Sequence, residues 1–178
     1  MHRTLIALFA SLAFCLAGCA TMDKAPIPTV SQVDLSRFMG AWYVIASIPT
    51  FLEKGAFNAV ESYSLNPDGS IATTFTFHKG AFDGPVKTMH PTGFVRSPSN
   101  AVWGMQFLWP IKAEYLIADL DSAYSQVIVA RNARDYVWIM ARSPTISASD
   151  YAGLVDKVRG FGYDVDKLRK VPQQWPSP

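Results

Sequence analysis

Few side chains in this sequence could do covalent chemistry. It carries two cysteines, Cys15 and Cys19, and three histidines, His2, His78 and His90. His78 and His90 do not fall at the His-x-x-x-His or His-Glu-x-x-His spacing that puts two imidazoles on one helix face around a metal. His90 precedes Pro91, which suits a turn or bulge better than a positioned base. No Gly-x-Ser-x-Gly elbow presents a nucleophilic serine, and no phosphate loop or dinucleotide glycine fingerprint occurs. No catalytic residue, metal site or cofactor is therefore expected. What remains is modification of a thiol at Cys19 and hydrogen bonding by carboxylates such as Glu61.

Cys19 has an informative context. Arg3 precedes an apolar run from Leu5 to Ala17 that ends in Gly18, the order of a secretory signal. Leu5 to Gly18 is 14 residues, whereas a helix crossing a bilayer needs about 20. Leu16-Ala17-Gly18-Cys19 resembles the lipobox of bacterial lipoproteins, in which the cysteine is acylated and becomes the first mature residue. The resemblance implies removal of residues 1–18 and a lipid on Cys19. With Ala20 rather than Asp after it, it also implies sorting to the outer membrane of a Gram-negative cell, facing the periplasm. Each buried CH₂ contributes about 0.8 kcal/mol, so several acyl chains anchor stably. Cys15 would leave with the signal, so the mature chain would hold no free thiol and no disulfide. Residues 19–34 contain Pro26 and Pro28 without apolar periodicity and read as an extended tether.

The elements that must position anything further are short strands. The chain has 178 residues, 49% apolar, 17% charged, with a formal net charge of +2. That is one domain's length, too aromatic to be disordered and without the basic excess that nucleic acid calls for. Eight β-rich runs follow one another: 42–48, 57–65, 70–78, 86–96, 101–109, 113–119, 124–131 and 136–142. Turn residues such as Asn66-Pro67-Asp68-Gly69 separate them. The spacing predicts an all-β sandwich or barrel. Tyr151, Leu154, Val155, Val158 and Phe161 then recur at helical spacing, predicting one amphipathic helix over 147–161, and a short strand is expected near 168–171. Eight closed strands leave room inside for one small ligand.

Gly40-Ala41-Trp42-Tyr43 is similar to the first-strand Gly-x-Trp-Tyr motif of the lipocalins, and Arg142 to the arginine of their third motif. Leu120-Asp121 with Tyr124 departs from the usual Thr-Asp-Tyr of the second motif. The stretches 115–121 and 135–146 resemble the bacterial outer-membrane lipocalins in particular, and the likeness runs from Val33 to Pro172. It implies an eight-stranded antiparallel up-and-down β-barrel with a C-terminal α-helix over 35–178. Gly40, Trp42 and Arg142 would then form the barrel floor, Arg142 stacking on Trp42 as a structural cation–π pair.

Alternation along strands then selects the inward side chains. With Trp42 inward, Val44, Ala46 and Ile48 follow; with Arg142 inward, Met140, Trp138 and Tyr136 follow. The more apolar sets put Thr73, Phe75 and Phe77 inside on the third strand, and Trp103, Met105, Phe107 and Trp109 on the fifth. The resemblance favours Glu61 and Tyr63 inside on the second strand, and the same reasoning favours Glu114 and Leu116 on the sixth. Glu61 then serves either as a hydrogen-bonding group for a ligand head or as the partner of another buried group. The expected ligand is a fatty acid or lysophospholipid, stored or carried without bond chemistry, with the membrane held through acylated Cys19. A lipid-modifying enzyme, a filled structural barrel and a homodimer of such barrels stay open as alternatives. Phe51, Leu52, Phe57 and Trp109-Pro110-Ile111 sit in or beside loops at the expected open end.

Overall fold

The structure is a computed structural model and describes residues 24–176. Cys15, Cys19 and the whole of segment 1–18 lie outside the described residues. The barrel starts at its floor. Asp34 caps the short helix α1 (Leu35–Phe38), its carboxylate accepting from the Ser36 and Arg37 amides. Phe38 is buried and packs 5.1 Å, centroid to centroid, from Trp42. Gly40 then turns the chain into the first strand with φ +94°, a conformation that a side chain would strain. A Cβ there would also stand 3.3 Å from Nη1 of Arg142.

The strands are β1 (Gly40–Ile48), β2 (Ala56–Leu65), β3 (Ile71–Lys79), β4 (Val86–Met89), β5 (Thr92–Val95), β6 (Val102–Leu108), β7 (Ile111–Leu120), β8 (Gln126–Ala130) and β9 (Val137–Ala141). Neighbours are antiparallel, and β1 pairs with both β2 and β9, which closes an eight-stranded barrel. The fourth run is split into β4 and β5 at His90-Pro91, both pairing with β3, because a proline nitrogen cannot donate to the ladder. Helix α2 (Ala148–Gly160) follows, with the Ser147 hydroxyl accepting from the Asp150 amide. A two-residue strand, β10 (Arg169–Lys170), then pairs with upper β1 where β2 has diverged. Beyond it, Gln173 donates to the carbonyls of Val44 and Ala59, so the C-terminal segment fills the slit between β1 and β2.

Two apolar layers result, one inside the barrel and one between its outer wall and α2. Trp42, Val44, Tyr63, Phe75, Trp103, Tyr115, Ile117 and Met140 belong to the inner layer. Ile45, Ala46, Leu116, Ala118, Ile139, Leu154 and Val158 belong to the outer one. Ala46, expected inside, therefore lies under the helix, as does Ile48. The cause is a bulge: β1 pairs Val44 with Met140 and then Ala46 with Ile139, skipping Ile45 and reversing the alternation. Leu116 is also outside rather than inside. On β7 it is Tyr115 and Ile117 that point inward, and because α2 covers the other face both alternate sets are apolar.

Residues 24–34 have no helix or strand, as expected of an extended segment, but they do not hang free. Ile27 and Val33 are buried, and the Ile27, Val30 and Val33 amides donate to Asn132, Ile117 and Ser99. No helix among the described residues is long and apolar enough to cross a membrane.

Candidate functional site: a cavity above an aromatic floor

At the floor, the Arg142 guanidinium lies 3.8 Å from the Trp42 ring centroid and donates to the carbonyls of Arg37, Phe38, Met39, Ala41 and Tyr124. Trp42 Nε1 donates to the Phe38 carbonyl at 2.8 Å. These contacts tie α1, β1 and the end of β9 together.

Aromatic rings fill the space above. Trp103 stacks on Tyr115 with centroids 5.1 Å apart and 8° between planes, and meets Phe38 and Tyr63 edge-on. The Tyr63 and Tyr115 hydroxyls are 2.5 Å apart. The lower barrel is therefore packed solid, and of the residues expected to face a ligand, Val44, Tyr63, Thr73, Trp103 and Met140 lie in this core. Phe77 is buried beside Phe75, off the cavity wall.

A cavity of about 210 Å³ opens above this layer. Glu61, Phe75, Met105, Phe107 and Trp138, all expected inside, line it. So do Tyr136 and Glu114, the latter accepting from the backbone amide and Nδ2 of Asn132. Phe51 and Leu52 from the β1–β2 loop form part of its rim. Six further wall residues escaped the sequence reading: Thr50, Glu53, Met89, Ala113, Tyr115 and Arg131. Tyr115 belongs to the alternate set that was set aside on β7, and an aromatic beside a carboxylate was the available signal. Glu53 and Arg131 lie on loops, where no alternation applies.

The electrostatics of the wall are unusual for a mostly apolar cavity. Burial pushes the Glu61 carboxyl up to about 7, the Tyr63 hydroxyl pulls it back, and the Glu53 charge adds to the rise. What surface Glu61 keeps faces the cavity. Burial also raises Glu53, against hydrogen bonds from Trp138 Nε1 at 3.1 Å and the Thr50 amide. At the mouth, Arg131 pairs with Asp135 through Nη1 at 3.2 Å, while its Nε is buried and has no partner among the described residues. The deep end therefore holds an acid that burial keeps protonated below about pH 7, and the mouth holds a cation whose Nε has no partner among the described residues. No group of three or more His, Cys, Asp or Glu side chains among the described residues could hold a metal ion.

Comparison with known proteins places this architecture. A family model for the lipocalin-like domain matches residues 33–173. Temperature-induced lipocalin-1 of Arabidopsis thaliana is 30% identical over 158 residues, 85% of each chain. Outer membrane lipoprotein Blc of Citrobacter freundii is 30% identical over 162 residues, 90% of this chain and 92% of its own. Among solved structures, insecticyanin from the tobacco hornworm Manduca sexta aligns at a TM-score of 0.64 with 15% identity, over 82% of this chain and 83% of its own, a likeness of fold alone. The closed barrel, the Trp42–Arg142 floor and the matched family model agree: this chain belongs to the lipocalin family.

Proposed function

We propose that this protein binds single-chain amphipathic lipids, fatty acids or lysophospholipids, and stores or carries them at the outer membrane, held there by acylation of Cys19. The observation that carries the reading is the apolar cavity closed below by Tyr63, Trp103 and Tyr115 and open above beside Arg131. An acyl chain enters tail first and ends against the aromatic layer. Its anionic head stays at the mouth, where the partly exposed Arg131 guanidinium offers a charge-assisted hydrogen bond. At about 0.8 kcal/mol per enclosed CH₂, ten methylenes contribute about 8 kcal/mol and sixteen about 13. Part of this offsets the cost of association, and micromolar binding needs about 8 kcal/mol net, so long chains are the better ligands. The location is supported by the lipobox resemblance and by relatives that are themselves named outer membrane lipoproteins.

The test is displacement of a fluorescent fatty acid from delipidated protein, followed by mass spectrometry of the recovered lipid. Displacement by fatty acids and lysophospholipids at micromolar concentration, with each returned unaltered, is the expected result. A barrel that takes up no probe overturns the binding reading, and chemically changed lipid replaces it with catalysis.

A further inference from the structure

The cavity and the point where the chain enters the barrel lie at the same end. Lys24 Nζ donates to the Gly162 carbonyl just beyond α2 at 3.3 Å, and the Ala25 carbonyl accepts from Arg134. The Ile27 amide donates to Asn132 Oδ1 at 2.7 Å. Asn132 and Arg134 belong to the β8–β9 loop, which also carries Arg131 and Tyr136 at the cavity mouth. From there the segment runs down the outer wall, past Ile117, to the floor, where the Val33 amide meets the Ser99 carbonyl. Cys19 precedes Lys24 by five residues, a reach of at most about 18 Å. The nine residues of β1 span about 30 Å, or roughly 23 Å of barrel height at the usual strand tilt. A chain of that reach, starting at the mouth, falls short of the floor.

The same end carries the largest apolar side chains left in water. Trp109 is 85% exposed, Leu108 75%, Phe51 75% and Ile111 69%, on the β6–β7 hairpin and the β1–β2 loop. Lys54, Lys79, Lys87 and Lys112 lie on the strands and loops that end at the mouth, the Lys112 ammonium over the Phe94 ring and Lys79 donating to the Lys54 carbonyl. Against these cations the open-end loops set Asp83, Glu53, which accepts from Trp138 at the cavity wall, and Asp135, which Arg131 already neutralises. Exposed aromatic and aliphatic residues amid lysines match an anionic phospholipid surface, where a Trp sits at headgroup level and lysines meet phosphates.

We infer that the open end of the barrel docks face-on against the bilayer that anchors Cys19, with Leu108, Trp109 and Ile111 seated in the headgroup layer. This orientation rests on the reading of Cys19 as the acylated residue. The cavity mouth then opens onto the lipid phase, and a single-chain lipid passes between bilayer and barrel without crossing water.

Site-specific probes on the acylated full-length protein test this, because acylated Cys19 leaves no other thiol in the mature chain. Leu108→Cys and, at the floor, Ala123→Cys each carry an environment-sensitive nitrobenzoxadiazole label. The proteins are reconstituted in vesicles of phosphatidylethanolamine and phosphatidylglycerol at 3:1, with and without brominated acyl chains. The label at 108 is expected to be quenched at least threefold more than the label at 123. Equal quenching, stronger quenching at 123, or none at either overturns the orientation when intact mass shows an acylated Cys19. An unmodified Cys19 by mass overturns the anchor reading and this inference with it, leaving probe displacement as the separate measure of lipid binding. Concentration-dependent protection of position 108 in vesicle-free, detergent-solubilised protein would give the rim to a second copy of the chain instead. As a second arm, Leu108→Asp with Trp109→Asp changes residues that do not line the cavity. Uptake of lysophospholipid from vesicles should slow at least fivefold, with displacement affinity unchanged when the pair is introduced into the soluble Cys19→Ser form. Unchanged uptake overturns the docking role.

Discussion

The hydroxyls of Tyr63 and Tyr115 meet at 2.5 Å across the middle of the barrel and divide it into a filled lower half and an open upper one. The pair, with Trp103 stacked on Tyr115, sets how deep an acyl chain can go. Affinity for fatty acids should therefore rise with chain length and then level off once the tail reaches the rings, because further methylenes stay in water. Displacement by a series from eight to twenty carbons checks this. A rise that continues to the longest chain would mean that the aromatic layer opens. Tyr115→Phe keeps the ring, and so the plateau, while removing one buried hydrogen bond at a cost of about 1 kcal/mol in denaturant unfolding.

Just above that pair, Glu61 makes both stability and binding depend on pH. Its carboxyl keeps its proton up to about pH 7 in the folded chain, against an ordinary value of 4.5. Between those values the folded state holds more protons than the unfolded one, so stability falls as pH rises through the window and stays lower above it. The full loss is about 3 kcal/mol. An ionised Glu61 also draws water into the cavity, so acyl-chain binding weakens above pH 7. Glu61→Gln should flatten both profiles and be the more stable protein at pH 8. Urea unfolding and probe displacement from pH 4.5 to 8.5 measure this, and a variant that tracks the parent at every pH removes Glu61 from both roles.

Arg131 should separate ligands by charge. Arg131 lines the mouth and is read as meeting the lipid head there, so Arg131→Gln is expected to weaken fatty-acid binding about tenfold, the loss of one charge-assisted hydrogen bond of about 1.4 kcal/mol. A fatty alcohol of the same length lacks the anion and should bind both proteins alike. Equal losses for acid and alcohol would show that the residue only shapes the rim.

Much of this was legible in the sequence where one strand face is wet and the other dry. On β3, Ile71, Thr73, Phe75 and Phe77 are buried while Ala72, Thr74 and Thr76 are not, and simple alternation found the inner set. Trp42 and Arg142 were legible through the family likeness, and their contact at 3.8 Å is the expected one. Legibility failed where α2 covers the barrel. There Val44 and Ile45, or Tyr115 and Leu116, are buried on opposite faces, and hydrophobicity cannot choose between them. It failed again at the Val44–Ala46 bulge, where one skipped residue reverses the count. The boundary between floor and cavity depends on how five aromatic rings pack, which no period encodes. The Ile27–Val33 stretch looked like tether because its anchoring contacts, to Asn132, Ile117 and Ser99, are all long-range.

Leu116 and Met105 carry the consequence of that phase error into an experiment. Leu116 is buried between β7 and α2, on the outside of the wall that Tyr115 lines from within. Truncating it leaves a cavity under the helix, so Leu116→Ala should cost about 2–4 kcal/mol and lower the melting temperature by roughly 4–16 °C. The ligand cavity is untouched, so affinity across the chain-length series should match the parent. Met105 reaches that cavity from β6. Met105→Ala removes bulk next to the ligand, so it should shift preference toward longer or bulkier acyl chains as well as reduce stability. Thermal unfolding run beside displacement separates the two substitutions. If Leu116→Ala altered chain-length preference as much as Met105→Ala, β7 would have to present the opposite face to the ligand, and the placement of Tyr115 on the cavity wall would fall with it.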